Sequence, residues 1–334
     1  MKLWREKGTW VGRHAAARLA RLEPADVRRI AVIKHCAFGD MLLTRPLLVT
    51  LREHFPHAAL TLSTLSDARG VPEDLVERVH YSPARSERAS WGEKRRAYRA
   101  LGEQDILIDI TASTASMLIS ALNPAGFKIG YKHRGLHRLI YDVAINRAEF
   151  RYEAETFLEP VNVLGIQFDW PLRFDMPQAP LTRPRPWVVY FPTASVASRT
   201  WPPEHFAELI REMADALPGH DHVLLEGIQD WEVAVCDTIE GLSGPPRNFL
   251  RWPAGDEDRA LLKGAAAVVC NDTGIRHLAT ALETPTVGIF FNSPPFGYWP
   301  RFGSHQLVFD REGRPPAVED VAAALLRAVN AQGA

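Results

Sequence analysis

Three short stretches of the sequence place chemically useful side chains directly after a predicted strand. In residues 35–40, Gly39 and Asp40 stand at the predicted start of a helix, where the glycine permits a close backbone approach or a positive φ. An ordinary aspartate is ionised at pH 7 and can accept a proton from a substrate hydroxyl. An N-cap is the other common role of such an aspartate. We expect Asp40 to act as a general base and not only as an N-cap, because the loop after the first strand lies beside a predicted cleft.

The second stretch, residues 270–274, contains Asp272, Thr273 and Gly274 and is followed by His277 on a predicted helix. The unpaired N–H groups and partial positive charge of a helix N-terminus bind phosphate. The stretch therefore predicts a phosphate or sugar-phosphate site. Simple capping of the helix by Asp272 or Thr273 is the alternative interpretation.

The third stretch, residues 192–202, combines several hydroxyl side chains, Ser195 among them, with Arg199. A guanidinium offers a forked set of donors that suits a pyrophosphate. A solvated turn, with Trp201 buried in the core, is the alternative.

Alternating strands and helices must position these loops, since short β-rich runs alternate with helical patterns along most of the chain. The predicted strands are 29–34, 60–65, 105–110, 127–130, 187–191, 222–226, 266–271 and 286–291, and the predicted helices are 41–54, 91–101, 114–122, 152–164, 203–217, 231–242 and 275–282. This alternation indicates α/β domains with parallel sheets, whose chemistry lies beyond the carboxyl ends of the strands.

The length of 334 residues and a run rich in proline predict two domains. The predicted segments are an N-terminal extension (1–26), a Rossmann-like domain (27–170), a linker (171–186) and a second Rossmann-like domain (187–334), whose last helix packs on its own domain or back on the first. We expect a ligand cleft between the two domains.

Composition excludes several classes of protein. The 39 Lys and Arg residues nearly balance 40 Asp and Glu residues, which excludes a globally basic nucleic-acid binder. Three cysteines far apart in sequence exclude a disulfide framework and a cysteine zinc site. No apolar run is long enough to span a bilayer, and no signal peptide is visible, so we expect a cytoplasmic protein. Residues 1–23 mix Trp and Leu with Arg, which predicts either a helix packed on its own domain or an amphipathic helix on an anionic membrane.

Taken together, these motifs resemble glycosyltransferase family 9, the heptosyltransferases of lipopolysaccharide core assembly. The resemblance covers about residues 29–330. It rests on Gly39-Asp40 with Leu42 and Pro46, on Arg199-x-Trp201-Pro202, and on Asp272-Thr273-Gly274-x-x-His277-Leu278-Ala279-x-Ala281-Leu282.

The resemblance implies a GT-B fold in which residues 27–170 form the acceptor domain and residues 187–334 the nucleotide-sugar domain. It also implies an inverting, metal-independent transfer from a nucleotide sugar, ADP-heptose by expectation, to a glycolipid or oligosaccharide acceptor. Asp40 matches the family's catalytic base, and Arg199 stands where a Lys usually grips the diphosphate. Ser195 matches a hydroxyl near the phosphates, and Asp272 an acid contacting the donor sugar or its phosphates. Thr273, Gly274 and His277 match the phosphate-binding turn.

A basic group in the first half predicts an acceptor that carries phosphates and carboxylates. With a glycolipid acceptor of this kind, the resemblance implies peripheral contact with the cytoplasmic face of the inner membrane. It comprises Lys128, Lys132, Arg134 and Arg138, together with Arg85, Arg88, Lys94, Arg95, Arg96 and Arg99. Solvated helix faces are the alternative interpretation, because acidic residues lie near the arginines of the helical stretch.

Other interpretations depend on departures from the family pattern. Arg199 in place of Lys, and Arg276 as a second cation inside the phosphate turn, leave open a different nucleotide sugar. A non-catalytic nucleotide-sugar binding or scaffold protein of the same fold is the other alternative. Asp256-Glu257-Asp258 spells a metal-binding pattern, but we interpret it as acids at a helix start. We interpret His133 and His137 as part of a basic loop, and we expect no metal site.

Overall fold

The computed structural model describes residues 1–244 and 248–331. The chain divides into two compact units, Met1–Asp175 and Met176–Ala334, and the division lies inside the predicted linker 171–186. Residues 332–334, the end of the predicted second domain, lie outside the described residues.

The first unit contains a sheet of seven strands across residues 1–175, all of which are described. The strands are β1 (Trp10–Val11), β2 (Arg29–Ile33), β3 (Ala59–Leu65), β4 (Arg78–Ser82), β5 (Ile106–Asp109), β6 (Phe127–Tyr131) and β7 (Val143–Ile145). Their order is β1-β7-β6-β5-β2-β3-β4, and each pair is parallel except β1 with β7. The interior strand β2 is buried on both faces from Ile30 to Ile33, which explains the apolar sequence of these four residues.

Helices cover this sheet. They are α1 (Ala15–Leu19), α2 (Phe38–Leu42), α3 (Arg45–His54), α4 (Trp91–Arg99), α5 (Thr114–Leu122), α6 (His137–Ile140) and α7 (Glu153–Asn162). The predicted single helix 41–54 is wrong in one respect, because two helices replace it. Pro46 has no N–H with which to continue a helix from α2, and it is tolerated instead in the first turn of α3.

The N-terminal extension packs on the first unit. The Met1 amino group donates to the Leu22 carbonyl at 2.8 Å, and the Trp4 N–H donates to the Val163 carbonyl at 3.0 Å. Within α1, Ala15 and Leu19 are buried. Of the two interpretations of this segment, the structure shows a helix packed on its own domain.

The second unit contains a parallel sheet with the order β10-β9-β8-β11-β12-β13 in its described part. The strands are β8 (Trp187–Phe191), β9 (Asp221–Leu225), β10 (Phe249–Trp252), β11 (Ala267–Asn271), β12 (Thr286–Phe290) and β13 (Gln306–Phe309). The helices are α8 (Pro203–Ala216), α9 (Asp230–Ser243), α10 (Asp258–Gly264), α11 (Gly274–Ala281) and α12 (Val318–Asn330). The last helix, α12, packs against α8, β12 and β13 of its own unit.

Trp201 anchors the loop that follows β8. Its side chain is fully buried, its ring meets Phe206 edge to face at 5.0 Å between centroids, and its indole N–H donates to the Pro316 carbonyl at 2.9 Å. The buried indole fixes one end of the loop in the core, so residues 192–200 are held at the carboxyl edge of the sheet.

Candidate active site

Asp40 lies in the first turn of α2, in the loop and helix that follow β2. It is half-buried, and none of the described residues donates a hydrogen bond to its carboxylate. The carboxylate is therefore available to a substrate. Gly39 is buried inside α2 and does not have a positive φ, so of its two expected roles only close packing applies.

A buried hydrogen-bond network holds the loop before Asp40. The Tyr141 hydroxyl donates to Asp109 at 2.6 Å, and Asp109 also accepts the Thr111 N–H at 2.8 Å. The Thr111 hydroxyl then accepts the His35 N–H at 2.9 Å. The Tyr141 ring lies so close to β6 that a Cβ on Gly130 would sit 2.6 Å from it. The ends of β5 and β6 thus fix the backbone from which the Asp40 loop departs.

Charged groups surround Asp40 and interact with it. Lys34 is only 5% exposed, and its ammonium lies 3.5 Å from the centroid of the Phe157 ring. Burial lowers the pKa of Lys34, and the negative charge of Asp40 opposes that shift. Glu153 pairs with Arg147 at 2.6 Å, and burial raises the pKa of Glu153. Lys34 and Glu153 were missed from sequence, although Lys34 directly precedes the predicted loop.

A cavity of about 450 Å³ adjoins the same loop. It is lined by His35, Cys36, Ala37, Phe38, Leu65, Asp67, Arg69 and Arg85. Burial, with smaller contributions from nearby cations, lowers the pKa of His35 to about 4, so its ring is neutral at pH 7. Arg69 and Arg85 therefore supply the positive charge of the cavity. Its volume is typical of ligand sites.

Of the four basic residues predicted to bind the acceptor, Lys128 lies apart from the other three, which follow β6. Lys128 lies in the amino-terminal half of β6, and its ammonium donates to the Ser120 carbonyl at 2.8 Å. Lys132 follows β6 and donates to the Gly8 carbonyl. Arg134 and Arg138 are exposed around α6. Lys128 is thus held away from the carboxyl edge by a contact within its own unit.

In the second unit, Asp272 directly follows β11 and lies beside Arg199. One guanidinium nitrogen of Arg199 is 3.5 Å from Asp272 Oδ2, and the Ser293 hydroxyl donates to the same oxygen at 2.8 Å. The Asp272 side chain is nearly buried, whereas that of Arg199 is 41% exposed. Asp272 therefore anchors a guanidinium that still faces solvent. Ser195 is exposed, in the same loop as Arg199.

Two asparagines fasten the loop after β8 to neighbouring strands. The Asn271 amide donates to the Pro192 carbonyl at 2.7 Å, and its oxygen accepts the Trp201 N–H at 2.9 Å. The Asn292 amide donates to the Ser198 carbonyl at 3.0 Å. Asn271, Asn292 and Ser293 were missed from sequence. Asn292 and Ser293 lie in the loop after β12. Like the three loops singled out from the sequence, this loop places polar side chains directly after an apolar strand, and that pattern could have identified both residues.

The N-terminus of α11 has the geometry of an anion site. Thr273 is its N-cap and makes no side-chain capping hydrogen bond, so its hydroxyl is not used to close the helix. Gly274 is the first helical residue. The first N–H groups of a helix have no intrahelical partner, and together with the helix dipole they favour a phosphate.

His277 and Arg276 differ from the sequence-based expectation. Burial, assisted by the charge of Arg276, holds the pKa of His277 well below its usual range, so His277 is neutral at pH 7. Arg276 is fully buried, donates to the Tyr298 carbonyl at 2.7 Å, and lies 5.1 Å from the Phe290 ring centroid. The expectation that Arg276 adds a cation near the phosphates is wrong, because its side chain points into the body of the unit.

The sequence patterns that resembled metal ligands have structural roles. Asp258 begins α10 and accepts the Gly255 N–H at 3.0 Å, as expected for an acid at a helix start. The His133 N–H donates to His137 Nδ1 at 3.2 Å, and the His137 ring packs edge-on against Trp10. Within the described ranges, no group of three or more His, Cys, Asp and Glu side chains is arranged to hold a metal ion. No helix there combines the length and apolar character needed to cross a bilayer.

Comparison with known proteins relates the chain to one family. The model of "Glycosyltransferase family 9 (heptosyltransferase)" matches residues 94–319, more than half of the chain. Lipopolysaccharide heptosyltransferase 2 of Escherichia coli K12 is 26% identical over 294 residues, covering 80% of this chain and 84% of that protein. Lipopolysaccharide heptosyltransferase 1 of the same strain is 24% identical over 315 residues, covering 84% and 92%.

Solved structures agree on the fold. The E. coli heptosyltransferase WaaC with ADP superposes with a TM-score of 0.72 at 22% identity, covering 90% of this chain and 99% of that one. A glycosyltransferase of family 9 from Veillonella parvula DSM 2008 gives a TM-score of 0.73 at 18% identity, covering 92% and 97%. These likenesses confirm the predicted GT-B fold.

Proposed function

The chain belongs to glycosyltransferase family 9 and is a glycosyltransferase, and from this premise we propose that it moves a heptose, or a related sugar, from an ADP-activated donor to a lipopolysaccharide core or similar envelope glycan. One observation carries the proposal. The anchored guanidinium of Arg199 and the open N-terminus of α11 adjoin the end of one strand, and this arrangement supports the binding of a diphosphate there.

On the donor side, the leaving nucleoside diphosphate gains negative charge as the sugar departs. The N–H groups at the start of α11, the Thr273 hydroxyl and Arg199 all favour that charge, so they stabilise the transition state more than the ground state. Asp272 holds Arg199 ready and offers its remaining oxygen to a sugar hydroxyl. His277 takes part as a neutral imidazole. This donor set supplies the charge stabilisation without a metal ion.

On the acceptor side, Asp40 accepts the proton of the acceptor hydroxyl while the hydroxyl oxygen attacks the anomeric carbon. The bond from that carbon to the diphosphate oxygen breaks on the opposite face, so the anomeric configuration inverts. Lys34 is buried near Asp40, and the negative charge of Asp40 opposes the lowering of the Lys34 pKa that burial causes. Proton transfer contributes about 10² to 10⁴ to such rates.

The acceptor we infer is anionic. Arg69 and Arg85 line the cavity beside the Asp40 loop, and Lys132 follows β6 at the same edge of the sheet. Guanidinium groups bind phosphates and carboxylates through paired hydrogen bonds. A glycolipid or oligosaccharide carrying these groups at the cytoplasmic face of the inner membrane meets this requirement. Lys128 is left out of the set because it lies in the amino-terminal half of β6, away from the carboxyl edge of the sheet. Lys132 lies at that edge, and its ammonium donates to the Gly8 carbonyl.

The relatives' names support the donor and acceptor classes, because both curated relatives are lipopolysaccharide heptosyltransferases and one solved neighbour contains ADP. Arg199, where the family usually has Lys, supports a second candidate: a family member that uses a different nucleotide sugar. A non-catalytic binding protein is the weaker alternative, since the chain carries both Asp40 and an intact donor turn.

A nucleotide screen followed by a transfer assay tests the proposal. Thermal shift and calorimetry with ADP, GDP, UDP and CMP, each with and without EDTA, should show a rise in melting temperature with ADP that EDTA leaves unchanged. Transfer from ADP-heptose to a lipopolysaccharide precursor should follow. A rise in melting temperature with GDP or UDP alone would mean that the donor is a GDP-sugar or a UDP-sugar and not an ADP-sugar. Binding of ADP without turnover on any envelope acceptor would favour the scaffold alternative.

A further inference from the structure

The segment around α6 projects two leucines into solvent. We call residues 134–139 the α6 tip. Leu136 is 52% exposed and Leu139 is 87% exposed, the highest value among the large hydrophobic side chains of the described residues. His137, between them, points inward and packs against Trp10 at 5.8 Å between ring centroids. The tip is thus anchored on one side and apolar on the other.

Positive charge surrounds these leucines. Arg134 and Arg138 are both exposed, and residues 131–141 contain no acidic side chain. Arg134 at φ 43° and Gly135 at φ 77° occupy the left-handed region, which turns the chain sharply before α6. The backbone conformation therefore places two apolar and two cationic side chains on one projecting turn.

We propose that the α6 tip is a membrane-docking surface that binds an anionic lipid bilayer. Segments that bind at the membrane interface typically insert leucines at the boundary of the acyl chains and place arginines among the lipid headgroups. A second copy of this chain is a poorer occupant. A stable protein interface buries about 800 Å² on each partner, which one helical turn does not supply, and two facing tips would bring like charges together.

Docking through this tip would place the proposed acceptor site next to the bilayer. The tip follows β6 at the carboxyl edge of its sheet, and the Asp40 loop follows β2 at the same edge, with only β5 between those two strands. This consequence rests on the proposed function, because it requires a lipid-borne acceptor. The docking itself does not depend on the activity.

Vesicle binding tests the proposal directly. The full chain is floated with vesicles of phosphatidylcholine alone and of phosphatidylcholine with about 30% phosphatidylglycerol, an anionic surface of the kind that attracts basic segments. We expect binding to the anionic vesicles that falls with added salt. Leu136→Ser with Leu139→Ser should weaken it at least about tenfold. Arg134→Gln with Arg138→Gln should weaken it about fivefold for each cation.

A matched control removes exposed apolar side chains elsewhere. Ile228→Ser with Leu242→Ser changes two aliphatic residues that are 76% and 49% exposed in the second unit, and it should leave vesicle binding unchanged. The tip leucine variant should keep the melting temperature of the wild type and its transfer to a delipidated acceptor. That retention would show that the loss of docking is not a loss of folding.

Three outcomes would overturn the docking surface. They are no wild-type binding to anionic vesicles, equal binding by the tip leucine variant, and a dimer in solution that this variant converts to a monomer. The last would assign the tip to a protein contact. A chain that binds vesicles but transfers no sugar would refute the proposed function and leave the docking surface intact, so the two failures are distinguishable.

Discussion

At the scale of single residues, donor binding depends on the contact between Arg199 and Asp272. Replacing Arg199 with Gln removes a charged donor to the diphosphate, and charged hydrogen bonds contribute about 1.5 to 3 kcal/mol. Calorimetry should therefore show ADP binding weakened about 10- to 100-fold. Arg199→Lys keeps the positive charge, so it should weaken ADP binding much less than Arg199→Gln does. Equal affinities of wild type and Arg199→Gln for ADP would remove Arg199 from the donor site.

Two arginines illustrate what single residues can and cannot reveal from sequence. Arg199 and Arg276 both lie near the predicted donor loops, and sequence gives each the same cationic role. Only the fold shows that Arg276 is buried against the Phe290 ring and bonded to the Tyr298 carbonyl, whereas the Arg199 side chain is 41% exposed. The difference depends on contacts made more than ten residues away along the chain, which no local pattern encodes.

At the scale of secondary-structure elements, Thr111 connects the end of β5 to the loop that carries Asp40, because its hydroxyl accepts the His35 N–H. Thr111→Val keeps the shape of the side chain but removes the acceptor of the His35 N–H, so the loop carrying Asp40 loosens. We expect kcat for transfer to fall about tenfold as Asp40 loses its position. The Kd for ADP should stay the same, because the donor site is in the other unit.

Thr111→Ser is the matched control, since it retains the hydroxyl and should restore most of kcat. If Thr111→Val instead weakens ADP binding by the same factor as it lowers kcat, the variant acts through general damage to folding and not through the loop.

The elements were predictable where burial on both faces made the sequence uniform. Strands such as β2 and β8 are continuous apolar runs with clear ends, and sequence located them within a residue or two. The edge strands β1, β4, β10 and β13 were missed because edge strands are only partly buried and carry mixed side chains. The interior strand β7 was missed because it has only three residues. The break between α2 and α3 was missed although Pro46 marks it.

The candidate site was predictable to the same extent as the elements. The loops after β2, β8 and β11 were predictable because each begins where an apolar strand stops. The contacts that support these loops were not predictable, since Asn271 reaches Pro192 and Trp201 only because β11 pairs with β8. Strand order is set by long-range packing, so sequence reasoning on local patterns could not supply these partners.

At the scale of the whole molecule, buried histidines make stability depend on pH. Burial lowers the pKa of His35, His222 and His305 to about 4, and it holds the pKa of His277 well below its usual value. An unfolded histidine has a pKa of about 6.5, so the unfolded chain binds more protons between these values. The free energy of unfolding should therefore fall as the pH drops from about 7 to about 4.

Thermal melts across this pH range measure the effect. His305→Gln removes one buried imidazole while leaving a side chain able to bond Thr286, so the variant should show a shallower loss of melting temperature on acidification. A slope equal to that of the wild type would mean that His305 does not contribute to the pH dependence.

The central claim is that Asp40 removes the acceptor proton while the second unit holds the donor independently. The most direct measurement compares wild type with Asp40→Asn, which keeps the size of the side chain, in heptose transfer from ADP-heptose and in ADP binding by calorimetry. We expect kcat to fall by about 10² to 10⁴ and the Kd for ADP to stay unchanged. Transfer by Asp40→Asn at the wild-type rate would contradict the role of Asp40 as the base.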